Sequence, residues 1–185
     1  MLLKSGIIRK TVMTNKLPLT TRLMVVYFCL QTQVFAQFTI NTKIEHIVDG
    51  DTFIAFVNDK KERIRMKCID APEIKQTFID LDGIKREIGI EAREYLELMI
   101  SQSDTLTLKC SDGRDKYGRL TCEVFDKNQN SINLQMVKNG YVYALPSKCF
   151  SQVEGMRYLG YQHLARFSQA GLWRYGVWEE PWGWR

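Results

Sequence analysis

A chain of 185 residues with 45% hydrophobic, 25% charged and 11% aromatic residues has the size of one folded domain behind a leader. That composition excludes disordered, collagen-like and multi-pass membrane classes. The formal charge of +5 is not spread evenly: residues 1–36 carry Lys4, Arg9, Lys10, Lys16 and Arg22 and no Asp or Glu, which leaves 21 basic against 21 acidic residues in the remainder. A chain cleaved there is neutral, so any polyanion is held by a local cluster rather than a global basic field, with a shallow salt dependence.

The basic residues precede an apolar run from Leu23 to Leu30, and Val34 and Ala36 occupy the two positions that a signal peptidase reads. This is the three-part pattern of a secretory signal. The run falls short of the roughly 20 apolar residues needed for a transmembrane helix. Residues 1–36 are therefore read as a cleaved signal peptide starting at Met1 or Met13, the alternative being an uncleaved anchor. Residues 37–185 are the mature domain, secreted or periplasmic, with no stable membrane association. Outside the leader four cysteines remain, Cys68, Cys110, Cys122 and Cys149. An even number in an exported chain favours disulfides, and the lack of Cys-x-x-Cys with only two histidines argues against zinc.

From Phe38 to Val57 the chain is rich in Ile, Val, Thr and Phe, broken by Asp49-Gly50. The pattern predicts two antiparallel strands whose turn uses φ > 0 at that dipeptide. Ile64, Met66 and Cys68 then alternate with Arg63, Arg65 and Lys67, a half-buried strand with a basic outer face. Asp70-Ala71-Pro72-Glu73 ends it, since Pro72 cannot donate to a ladder. A polar loop runs from Ile74 to about Gly89, followed by an amphipathic helix over 90–100 with Ala92, Tyr95, Leu96 and Met99 on its apolar side.

Alternation returns in Leu106, Leu108, Cys110 and in Leu120, Cys122, Val124. Cys110 and Cys122 then share a face of paired strands within disulfide reach, if register allows; the alternative is two buried thiols. Ser131 caps a short helix from Ile132 to Lys138 ended by Asn139-Gly140, with Met136 and Val137 in the core, and a longer helix runs from about Val153 to Ala170. The class is α+β, mainly β: five strands in a closed Greek-key barrel of the OB type, with about three helices.

Asp51, Arg65, Asp70, Glu73 and Arg119 fall at strand ends or on polar strand faces. Two carboxylates, Asp51 and Asp70, with a backbone carbonyl make a hard-oxygen site suited to Ca²⁺ in preference to Mg²⁺. Arg65 and Arg119, read as outward-facing, can grip a phosphate bidentately and stabilise transition-state charge. Glu73 can accept a proton from water or orient it. Together these groups suit phosphodiester hydrolysis. Each motif alone has an ordinary reading as a hairpin, a capped turn or a solvated surface; their joint occurrence in this order is what carries the inference.

Ile47-Val48-Asp49-Gly50-Asp51-Thr52, Arg65 through Glu73, Glu91-Ala92, Asp115 through Arg119 and Asn133 through Gly140 together resemble the staphylococcal nuclease family, from about Ile44 to Trp173. The resemblance implies an OB-fold, Ca²⁺-dependent nuclease acting on single-stranded DNA and RNA and leaving 3′-phosphates, expected here as a monomer. It implies Asp51 and Asp70 as carboxylate ligands, the carbonyl of Ala71 as a third, Arg65 and Arg119 as phosphate clamps, Glu73 as general base or water-orienting group, and Lys116 and Tyr117 as contacts to a neighbouring phosphate. The family's two nucleotide-contacting tyrosines fall on Pro146 and Lys148, with Tyr141 and Tyr143 out of step, and the loop after Glu73 is longer than in the type member. The competing expectation is a noncatalytic OB-fold module that binds nucleic acid or protein. Retention of both carboxylates, both arginines and Glu73 argues against it, because binding alone requires no general base. Docking of the C-terminal tail is expected for Trp173, Trp178, Trp182 and Trp184, and a structural or exposed position for His163.

Overall fold

The alternation around Arg65 does build a strand, and its neighbours follow from the same period. In the computed structural model, which describes residues 36–41, 44–177 and 180–183, the strands are β1 (Ala36–Asn41), β2 (Ile44–Asp49), β3 (Thr52–Val57), β4 (Lys60–Met66), β5 (Ile69–Asp70), β6 (Phe78–Ile79), β7 (Lys85–Arg86), β8 (Thr105–Cys110), β9 (Leu120–Phe125) and β10 (Tyr143–Ala144). The helices are α1 (Ile88–Ser101), α2 (Ile132–Lys138) and α3 (Gln152–Phe167), with 3₁₀ turns at Pro146–Lys148, Gly171–Tyr175 and Pro181–Gly183. The leader lies outside the described residues except for Ala36, which opens β1. Trp178 and Trp184 also lie outside them.

Six strands form one sheet in the order β1-β8-β9-β4-β3-β2, and two further sheets pair β10 with β5 and β6 with β7. The mixed α+β class and three α-helices agree with expectation, whereas the strand count does not. The stretch read as two strands holds three, because residues 36–41 pair with β8 while residues 44–49 pair with β3. The polar loop after Ile74 contains the short β6–β7 hairpin. It is organised by buried Asp80, whose carboxylate accepts the Asp82 and Ile84 N–H groups and pairs with Arg86. The last helix ends at Phe167, earlier than expected, where Ser168 turns its hydroxyl back to the carbonyl of Leu164.

Alternate residues fill one core. Phe53, Ala55 and Val57 of β3, Ile64 and Met66 of β4, Leu106 and Leu108 of β8 and Val124 of β9 are buried under Leu96 and Ile100 of α1 and Ile132, Met136 and Val137 of α2. Burial of such apolar area is the main favourable term in folding. Ser131 caps α2 as expected, its hydroxyl accepting the Leu134 N–H. The β3–β4 turn sits on Asn58 and Asp59, both at positive φ, the backbone that a two-residue hairpin demands.

Cys110 and Cys122 stand opposite one another in the β8–β9 ladder and are disulfide-bonded, with Cα atoms 3.9 Å apart. A second disulfide joins Cys68 to Cys149. Cys68 does not continue β4 as its alternation suggested; it lies two residues past the strand's end at φ 64. No helix among the described residues is long and apolar enough to cross a membrane.

Candidate active site

Three adjacent elements deliver the predicted residues to one place. Asp51 leaves the β2–β3 turn, Arg65 lies next to the end of β4, and Asp70 is the second residue of the two-residue strand β5. Thr52 and Arg65 are register partners, which puts Asp51 beside the guanidinium. Asp70 is opposite Tyr143 in the β5–β10 pair, and the Leu145 N–H donates to the Cys68 carbonyl at 2.7 Å. The segment that carries Asp70 is thus pinned from the C-terminal half of the chain.

Arg65 was expected on an outward face but is largely buried, because two carboxylates flank it. Its Nη1 lies 2.5 Å from Asp51 Oδ2 and its Nη2 lies 2.5 Å from Asp70 Oδ1, with side-chain exposures of 12% for Arg65, 5% for Asp51 and 2% for Asp70. Asp51 is itself fixed by the Thr52 hydroxyl at 2.9 Å and by the Ala71 N–H at 2.7 Å. The two carboxylates therefore converge on one cationic position, and Ala71 is bonded into the same cluster. Hard oxygen donors gathered on a single positive group fit a Ca²⁺ ion by the chemistry of the set.

Asp49 stands behind this cluster, accepting the Asp51 N–H at 2.9 Å. Burial, then the negative Asp51 beside it, push its carboxyl up to about 7, against the lowering effect of that N–H and of Arg65. Gly50 does not use the positive φ expected of the turn. A Cβ there would come within 2.8 Å of the Cβ atoms of Ala71 and Ala92, so glycine is required by close packing of the turn against the site and α1.

Glu73 follows Ala71 and Pro72 and is half-buried. Its N–H donates to Gln76 Oε1 at 3.1 Å and its carbonyl accepts the Gln76 N–H at 2.7 Å. Arg119 immediately precedes β9, whose Thr121 is the parallel partner of Arg65. Residue parity then puts Arg119 on the same sheet side as Arg65, one strand across. It is half-buried rather than freely outward, because its Nε donates to Asp115 Oδ2 at 2.7 Å.

Asp115 organises the intervening loop. Its Oδ1 accepts the N–H groups of Tyr117 and Arg119, both at 2.9 Å. Burial would raise its carboxyl, but the Arg119 N–H, the Arg119 guanidinium and the Tyr117 N–H outweigh it and hold the group below the usual range. Lys116 and Tyr117 are exposed, with Lys116 Nζ 4.8 Å and Arg119 Cζ 5.2 Å from the centre of the Tyr117 ring.

The other aromatic candidates are engaged elsewhere. Tyr141 stacks on Tyr95 with ring centres 3.9 Å apart, and buried Tyr143 meets Trp173 edge-on at 4.7 Å and Trp182 at 6.0 Å. Trp173 is buried in the same cluster and His163 is exposed. Pro146 and Lys148 lie in a 3₁₀ turn.

Two residues of consequence were given no role by the sequence. Asn133 is fully buried: its Oδ1 accepts the Val124 N–H, and its Nδ2 donates to the carbonyls of Lys67 and Cys122. It joins α2 to β9 and to the end of β4. Its spacing to Met136 and Val137 already places it on the core face of the helix, where a polar group must find partners. Gln76 carried no such signal, being one polar residue in a polar loop.

A family model described as "Staphylococcal nuclease homologue" matches residues 63–175. That span includes every candidate residue except Asp51. The chain is 36% identical over 101 residues to Endonuclease YhcR of Bacillus subtilis (strain 168), covering 53% of this chain but 8% of that much longer protein. It is 31% identical over 152 residues to Micrococcal nuclease of Shigella flexneri, covering 77% of this chain and 79% of the relative. Endonuclease YncB of Bacillus subtilis (strain 168) is 30% identical over 119 residues, 61% of this chain and 54% of that one.

Proposed function

Because the chain belongs to the staphylococcal nuclease homologue family, we propose that it is an exported Ca²⁺-dependent nuclease of single-stranded DNA and RNA that leaves 3′-phosphate ends. The observation that carries the reading is the convergence of Asp51 and Asp70 on the Arg65 guanidinium. A structural ion pair needs one carboxylate; a second buried one at the same point is costly unless a further cation is to be held there. Asp51, Asp70 and the Ala71 carbonyl are the ligands for Ca²⁺. Bound there, the ion supplies Lewis-acid stabilisation of the charge gathering on the scissile phosphate.

The protein groups divide the remaining work. Glu73 takes the proton from a water whose oxygen attacks phosphorus, while the bond to the 5′-oxygen breaks and the phosphate stays on the 3′ side. Arg65 and Arg119, on one sheet side, grip the non-bridging oxygens and oppose the negative charge that builds as the water adds. Lys116 and Tyr117 contact the next phosphate along the strand. An OB-type barrel is the frame proposed for the six-stranded sheet, and the chain is taken to act as a monomer. Export is supported by two disulfides, which persist in oxidising compartments.

The test is hydrolysis of single-stranded DNA and RNA by protein beginning at Gln37, with Ca²⁺ or EGTA, beside Asp51→Ala and Glu73→Gln. Calcium-dependent cleavage that is lost in both variants is expected. Equal cleavage in all samples would expose a contaminant, and retained binding without cleavage would replace this reading with a noncatalytic binding module.

A further inference from the structure

Gln76 has no part in the chemistry just described, yet it is 1% exposed and lies three residues beyond Glu73. Its Oε1 accepts the Glu73 N–H at 3.1 Å, and its own N–H donates to the Glu73 carbonyl at 2.7 Å. Both polar groups of the Glu73 main chain are thus held by one residue. The N-terminus of α1 closes a third side: a Cβ on Gly89 would fall 1.8 Å from the Glu73 carbonyl oxygen, and the Gly89 N–H donates to the Gln76 carbonyl at 3.3 Å.

The other half of the Gln76 amide is unused. Its Nε2 is buried with no hydrogen-bond partner among the described residues. Burying an amide with its donor unpaired destabilises a fold, so packing alone does not account for glutamine here. The acceptor half does account for it. Glu73 follows Pro72, which has no N–H with which to tie that segment down, and the Oε1 contact supplies the missing restraint at the next residue.

We propose that Gln76 is a positioning residue for the carboxylate of Glu73, a role that rests on Glu73 being the general base. A base works only within hydrogen-bond reach of the water it deprotonates, and a displacement of about 1 Å costs on the order of 100-fold in rate. Gln76 touches neither substrate nor water in this role. It holds the Cα of Glu73 between two main-chain bonds and the face of Gly89, so that the carboxylate starts from one place.

The experiment is a kinetic cycle on single-stranded DNA with Ca²⁺, using the wild type, Gln76→Met, Gln76→Glu, Glu73→Gln and the double variant Gln76→Met with Glu73→Gln. Methionine keeps the buried volume but removes the acceptor, so the fold is retained. With Gln76→Met, kcat is expected to fall by roughly 10- to 100-fold while KM stays within about twofold. In the Glu73→Gln background the same change is expected to cost nothing further in residual kcat. Gln76→Glu keeps the acceptor and recovers most of the rate. Equal losses in both backgrounds, or an unchanged kcat in Gln76→Met, would overturn the positioning role while leaving the nuclease reading intact. Full activity of Glu73→Gln alone would overturn both.

Discussion

Asp70 Oδ1 lies 2.5 Å from Nη2 of Arg65, five residues before it, and the same guanidinium reaches Asp51 from the neighbouring strand. The link binds three elements through groups that are nearly all removed from water. Breaking it by truncating the arginine leaves two buried carboxylates facing each other. Arg65→Ala is therefore expected to lose about 3–5 kcal/mol of stability in EGTA. Added Ca²⁺ restores part of that loss by taking the place of the guanidinium's charge. Urea unfolding with and without the ion checks this, and a Ca²⁺-independent loss would mean that the carboxylates do not serve as ligands.

Asp115 allows the loop and the arginine it carries to be separated. Asp115→Asn retains an oxygen for the Tyr117 and Arg119 N–H groups but gives up the charge facing Arg119 Nε. Asp115→Ala removes both. The alanine variant is expected to raise KM and lower kcat, the asparagine variant to lower kcat alone, as steady-state kinetics would read. The carboxyl is held low in the fold, so its contribution to loop stability is complete above the ordinary aspartate pKa of about 4 and is lost as pH falls through the depressed folded value.

Asn133 is a stability residue at the back of the site. Truncation to alanine strands the Val124 N–H and removes a donor from the Lys67 and Cys122 carbonyls in a fully buried setting. A loss of about 3 kcal/mol is expected, measured as a shift in the urea midpoint at constant slope. A change below about 0.5 kcal/mol would show that water replaces the amide.

The two disulfides are expected to differ in what they protect. By loop length alone, Cys110–Cys122, 12 residues apart, contributes about 3 kcal/mol and Cys68–Cys149, 81 apart, about 4.5 kcal/mol. Cys68 also stands between Arg65 and Asp70 with a left-handed backbone. Replacing Cys68 and Cys149 by serine should lower Tm and also depress kcat in the protein that is still folded, whereas serine at Cys110 and Cys122 should lower Tm by less and spare kcat. Parallel activity and thermal unfolding measurements on the two double variants distinguish them.

The sequence alone determined the family to which the chain belongs. Asp51, Arg65, Asp70, Glu73 and Arg119 stand in the order that carries the resemblance, and the order of motifs along a chain needs no coordinates to be read. It also determined the main strands and the capped helix over 132–138, since period-two alternation and side-chain caps are local physics; it put Cys110 and Cys122 on one face, while the register that bonds them came from the β8–β9 pairing.

What only the tertiary structure decided depends on which distant elements touch. Residues 36–41 form a separate strand because β8 offers them an edge, a pairing that no local pattern encodes. Gly50 is glycine because Ala71 and Ala92 pack against it, not because of its turn angle. Arg65, outward by alternation, is buried because two carboxylates arrive from β5 and the β2–β3 turn. The roles of Gln76 and of the Cys68–Cys149 bond were equally closed to reading. A hydrogen bond or a disulfide is set by distances of a few ångströms between segments, and those distances exist only once the core has brought the segments together.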